Sequence, residues 1–116
     1  MDTVTKQYIE TVKVSDIPWH RLTTTYGRAT DFPTELDVLW NMESIEVVDA
    51  AGEALAQNIE HQLTLWHATP FAMIFLLRIF KKAQEERAHN EVAQYLAEQL
   101  VELFTVIAEC IRDGLM

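Results

Sequence analysis

Apolar residues recur every three or four positions along most of this chain, a period that marks amphipathic helices rather than strands. The longest run comes last. Val92, Leu96, Leu100, Leu103, Ile107 and Ile111 line one face, Asn90 stands before them as N-cap, and Gly114 follows as a stop. This predicts a helix from about Glu91 to Asp113, with Glu91, Glu98, Glu102 and Glu109 on its outer face. The clearest start signal is Thr69-Pro70, an N-cap followed by a proline that suits the first turn. The helix it opens, through Phe71-Ala72-Met73-Ile74-Phe75-Leu76-Leu77, is apolar nearly all round and should be the most buried. Arg78, Lys81 and Lys82 mark its wet end and suit its dipole. Residues 83–89 read equally as its continuation or as a polar connection.

Two more helices are predicted upstream. One runs from about Phe32 to Asn41, capped by Thr30 or Asp31, with Pro33 in its first turn and Leu36, Leu39 and Trp40 as its apolar face. The other runs from about Ile45 to Gln62, capped by Ser44, with Val48, Ala51, Leu55, Asn58, Ile59 and Gln62 facing inward. Gly52 is its weak point, costing about 1 kcal/mol relative to alanine. Residues 15–22 read as a short capped turn, with Asp16 free to accept amide hydrogens. Residues 1–14 are ambiguous: Val4, Tyr8 and Val12 keep helical spacing, while the β-branched content suits a strand. A helix or ordered arm is the reading preferred here. The pattern as a whole predicts an all-α single domain, a small bundle of antiparallel αα-hairpins. The expected core includes Phe71, Ile74, Phe75, Leu77, Leu96, Leu100, Leu103 and Ile107, and Trp19, Tyr26, Trp40 and Trp66 are further core candidates.

Composition adds limits. A chain of 116 residues can hide roughly two thirds of its unfolded surface. The single cysteine, Cys110, lies at an apolar helical position and reads as a buried, inert thiol. The polar N-terminus lacks a secretory apolar run, and the stretch from Phe71 to Phe80 is too short to cross a bilayer. A cytoplasmic location is the expectation.

Charge changes the picture more. Eighteen Asp and Glu against nine Lys and Arg give a net charge of −9. That sign argues against nucleic acid and against anionic membranes as partners. The imbalance is concentrated. From Ala29 to Leu77 there is no Lys or Arg, yet there are eight acids: Asp31, Glu35, Asp37, Glu43, Glu46, Asp49, Glu53 and Glu60. At about 100° per residue, Glu46, Asp49, Glu53 and Glu60 fall within about 60° of one another, opposite the apolar face. Such a stripe is either a solvated helix face or an electrostatic docking surface for a basic partner.

Candidate chemistry is sparse. His61 and His67, with Glu60 and His20, lack the helical i, i+4 pair or the third convergent ligand that zinc needs. His61 and Gln62 read better as hydrogen-bonding groups for free carbonyls at a helix end. Paired acids such as Glu85-Glu86 have no cleft or substrate evident near them. A chain with three glycines offers no P-loop. The sequence therefore predicts no enzyme activity, no cofactor and no metal.

Two stretches carry a resemblance. Tyr26-Gly27-Arg28-Ala29-Thr30-Asp31-Phe32-Pro33 is similar to a Tyr-Gly-x-Ala-x-Asp-x-Pro segment of bacterial HEAT-repeat-like proteins, which leads into their first helix. His61-Gln62-Leu63-Thr64-Leu65-Trp66-His67-Ala68-Thr69 resembles their His-Gln-Gly-Thr-x-x-x-Ala-Thr turn. Leu63 stands where that family has glycine, and Ile74 where it often has proline. The resemblance implies an α-solenoid fragment with a binding role and no catalytic residues, with Tyr26, Gly27, Asp31, His61, Gln62, Thr69 and Pro70 as its structural motif. Small size, the absence of chemistry and the acidic block together lead to the expectation of a protein-binding module. A sharper form is an immunity- or antitoxin-type inhibitor of a basic toxin domain, docking through Glu43, Glu46, Asp49, Glu53 and Glu60. The alternative is a structural or regulatory protein that homodimerises through the 91–113 helix, where Val101, Phe104 and Ala108 broaden the apolar face.

Overall fold

The computed structural model describes residues 3–24, 27–28, 30–60 and 69–112. Among the described residues five helices follow one another: α1 (Thr3–Thr11), α2 (Phe32–Asn41), α3 (Ile45–Glu60), α4 (Thr69–Glu86) and α5 (Glu91–Arg112). They hold more than half of the chain, so the fold is all-helical. The one ladder among the described residues is a two-residue antiparallel pair, β1 (Thr23–Thr24) with β2 (Gly27–Arg28). Single 3-10 turns at Val14–Asp16 and Trp19–Arg21 lie between α1 and the ladder.

The expected caps are present where short polar side chains precede an apolar run. The Asn90 carboxamide oxygen accepts from the amides of Val92 and Ala93, and the Ser44 hydroxyl from that of Val47. Asp16 accepts from the Lys13 amide at 2.8 Å, which closes the first 3-10 turn. Asp31 precedes α2, but no side-chain cap bond accompanies it. Its backbone is already helical (φ −88°, ψ −6°), not the extended form that aims a capping oxygen at the next amides. Thr69 is itself the first residue of α4 rather than the residue before it. Residues 83–86 continue α4, and a four-residue connection leads to α5.

The core is one cluster built from every helix except α1. Leu39 of α2, Leu55 of α3 and Leu76 of α4 are fully buried, with Leu96 of α5 beside them at 1% exposure. Trp19 packs its ring 5.6 Å from Phe32 and 6.0 Å from Phe75, and its indole N–H donates to the Val14 carbonyl at 2.9 Å. Helix α1 buries no residue; the Arg78 guanidinium reaches it, donating to the Ile9 carbonyl at 2.7 Å.

Two core expectations fail. Leu77 is 51% exposed, although it belongs to an all-round apolar stretch of α4, which packs chiefly against α2 and α5. Trp40 is 45% exposed. It stands near the C-terminus of α2 with the Lys82 ammonium 4.5 Å above its ring, and the same ammonium donates to the Trp40 carbonyl. Lys82 thus serves the end of α2 rather than its own helix dipole. Phe71 and Ile74 are half-buried, while Phe75, Leu96, Leu100, Leu103 and Ile107 are buried as expected. Tyr26, Trp66, His61, Gln62 and His67 lie outside the described residues, as do the side chains of Glu60, Thr69 and Cys110.

Candidate functional site

Helix α3 turns Val48, Ala51 and Leu55 into the core and leaves Glu46, Asp49 and Glu53 exposed. Asp49 and Glu53 line an open cleft of about 350 Å³ between α3 and α5. Behind its surface lie the core residues Leu39, Leu55, Leu76, Leu96, Leu100 and Leu103, each at most 9% exposed. One lip is Asp49, Gly52, Glu53 and Ala56 of α3; the other is Gln99, Glu102 and Val106 of α5. Glu46 lies one turn before Asp49 and Glu43 lies ahead of α3; both are exposed and neither lines the cleft. The backbone of Glu60 ends the described part of α3.

Tyr95 of α5 is joined to Asp49 of α3. Its hydroxyl donates to an Asp49 carboxylate oxygen. That bond, then burial, then the negative charges of Asp49, Glu102 and Glu53 hold the phenol above its usual pKa. Three carboxylates from two helices therefore act on one oxygen. Among the described residues no Lys or Arg forms an ion pair with Glu53 or Glu102.

The sequence pattern placed Asp49 and Glu53 together but missed Tyr95, Gln99 and Glu102 as their neighbours. The signal was present. Tyr95, Gln99, Glu102 and Val106 follow the i, i+4, i+7, i+11 spacing of a single ridge. A ridge that mixes aromatic, polar and apolar residues beside a pure aliphatic stripe marks a lip rather than a wet face. Only packing against α3 shows which acids it meets.

A second recess of about 310 Å³ lies between α2 and α4, lined by Val14, Pro33, Leu36, Asp37, Trp40, Phe75, Arg78 and Ile79. Its charges are of both signs and are engaged. Arg78 lies 5.0 Å over the Phe75 ring and bonds Ile9, and Asp37 accepts from Asn41 at 3.4 Å.

One further acid is unusual. Glu35, in the first turn of α2, has a carboxylate oxygen that is out of solvent and without a partner among the described residues. Burial first, and the neighbouring Asp31 second, push its pKa from 4.5 to about 7. It lines neither cleft.

Among the described residues no group of three or more His, Cys, Asp and Glu side chains could hold a metal ion, and no helix is long and apolar enough to cross a membrane. Comparison of the chain with protein-family models, curated proteins and solved structures returns no match.

Proposed function

We propose that this chain is a non-catalytic protein-binding module that docks a basic partner on the α3 face, most simply as an immunity- or antitoxin-type inhibitor covering a basic toxin domain. One observation carries the reading. Asp49, Glu53 and Glu102 converge on an apolar cleft without forming ion pairs to Lys or Arg among the described residues. Like charges gathered beside apolar surface repel one another until a cation arrives, and single-sign patches steer oppositely charged proteins. The motif resemblance to HEAT-repeat-like proteins supports the same role, because stacked helical hairpins bind proteins on extended surfaces.

Glu46 and Glu53 are the residues to reverse, since Asp49 also holds Tyr95. The partner is sought first among the products of adjacent genes. The Glu46→Lys/Glu53→Lys double variant slows its association steeply at low salt, and the loss shrinks once salt screens charges beyond about 10 Å. Thermal melts barely change, since exposed charges contribute little to stability. An unchanged low-salt association rate would mean the acidic face is merely solvated.

A second reading is favoured by a different surface. Leu77 and Val101 are 51% and 50% exposed, and the Phe80–Phe104 ring pair, 5.6 Å apart, lies where α4 meets α5. Val101, Phe104 and Ala108 share one helical face. A homodimer through α5 would cover it. Sedimentation at high micromolar concentration decides this reading, which a monomer mass overturns.

A further inference from the structure

The acidic face contains a recess that can take a side chain. We propose that the α3–α5 cleft is the pocket for one bulky apolar anchor of a basic protein segment, with Lys or Arg on both sides of that anchor. This rests on the protein-binding reading and names the chemistry of the partner.

The accessible apolar lining sets the first requirement. Ala56, Leu103 and Val106 keep some exposure in the recess and offer no hydrogen-bonding side-chain group, so the occupant must be apolar where it touches them. About 350 Å³ admits a large side chain but not a helix, which is about 10–12 Å across. The lips set the second. Asp49 and Glu53 stand on one side and Glu102 on the other. An apolar occupant without cations would strip water from three carboxylates and give nothing back, whereas flanking ammonium or guanidinium groups replace the lost hydration. Anchors of this kind dominate interfaces when a rim excludes water around them.

Gly52 supplies an independent mark. It lies in the middle of α3 between Asp49 and Glu53, where glycine weakens a helix. A Cβ built there meets nothing within 4 Å, so no contact inside the fold requires its small size. Its effect is to leave the cleft wall bare, which lets an incoming main chain approach closely. Tyr95 already engages the Asp49 carboxylate, which leaves Glu53 and Glu102 for the flanking cations.

The test uses the full chain and three fluorescein-labelled peptides read by polarisation: Lys-Lys-Leu-Lys-Lys, Lys-Lys-Gly-Lys-Lys and Glu-Glu-Leu-Glu-Glu. The leucine-centred basic peptide should bind roughly tenfold or more tightly than the glycine-centred one, as expected for a buried leucine side chain. The acidic peptide should not bind. Gly52→Leu should fill the recess and equalise the two basic peptides, at a melting temperature no lower than that of the parent. The peptide pair alone decides the matter if that variant does not fold. Equal binding of the two basic peptides to the parent, with Glu53→Lys/Glu102→Lys still weakening both, would overturn the anchor and leave the protein-binding reading standing. No effect of that reversal would overturn both. Displacement of the peptide by phenethylammonium at equal concentration would make this a site for small organic cations and overturn the proposal. So would a dimer that Gly52→Leu disperses in sedimentation, since a second copy would then be the occupant.

Discussion

The α2–α4 side and the α3–α5 side of this molecule use the same leucine core and treat charge in opposite ways. Between α2 and α4 each cation has a task. Arg78 ties down α1 and stacks on Phe75, and Lys82 caps α2 while covering Trp40. Between α3 and α5 the acids gather around Tyr95, with Glu53 and Glu102 free of Lys or Arg partners among the described residues. On α4, Arg78 and Lys82 are spent on carbonyls and rings rather than on neutralising the acidic block. The contrast locates where this chain keeps interaction energy in reserve, and three variants should expose it.

The largest effect falls on the satisfied side. Lys82 donates to the Trp40 carbonyl, one of the groups left open at the end of α2, and lies over the Trp40 ring with Glu86 4.0 Å away. The last turn of α2 has no basic residue of its own. Lys82→Ala removes the donor, the helix-terminal charge and the ring contact together. A loss of about 1–2 kcal/mol in urea melts is expected. A loss below about 0.3 kcal/mol would show that both sides hold their charges equally loosely.

This contact also shows where sequence reasoning stops. Helices α2, α3, α4 and α5 were legible because each joins a regular apolar period to a local start signal: Ser44 and Asn90 cap through their own side chains. The core was legible where the stripe was narrow, as in α5. It failed in α4, whose apolar residues run all round the axis, so period could not say that Leu77 faces away. It failed at Trp40 because a tryptophan on an apolar stripe does not announce a lysine 42 residues away. The site was half legible for the same reason. Asp49 and Glu53 share one helix, but Glu102 lines the same cleft from α5, a placement that no local spacing encodes.

Glu35 is the exception on the satisfied side, and its effect is intermediate. Its folded pKa of about 7 lies above the unfolded 4.5, so the folded chain binds the proton more tightly. Its contribution is therefore most favourable below pH 4.5 and is lost as pH rises through about 7. Because the residue is partly exposed, solvent screening reduces the penalty to about 1 kcal/mol at neutral pH. Glu35→Gln keeps the shape and removes the charge. It should raise stability by about that amount at pH 8 and by little at pH 4.5, flattening the slope between. Equal gains at both pH values would show that packing, not ionisation, is the cause.

The smallest effect is the most informative, because its sign is opposite to that of Lys82→Ala. Glu53 and Glu102 stand on facing lips, and both act on the Tyr95 oxygen with Asp49. Exposed like charges at such range cost a few tenths of a kcal/mol in dilute salt. The isosteric pair Glu53→Gln/Glu102→Gln relieves that repulsion without disturbing the Asp49–Tyr95 bond or opening a cavity. The free protein should become more stable by about 0.3–0.5 kcal/mol at low ionic strength. The gain should vanish near 1 M salt, where the screening length falls to about 3 Å. The same variant should bind the basic leucine-centred peptide more weakly. Stability gained where binding is lost is the pattern of a surface held unfavourably for a partner. A loss of stability would mean that Glu53 or Glu102 makes a favourable contact within the fold, and the contrast between the two sides would then disappear.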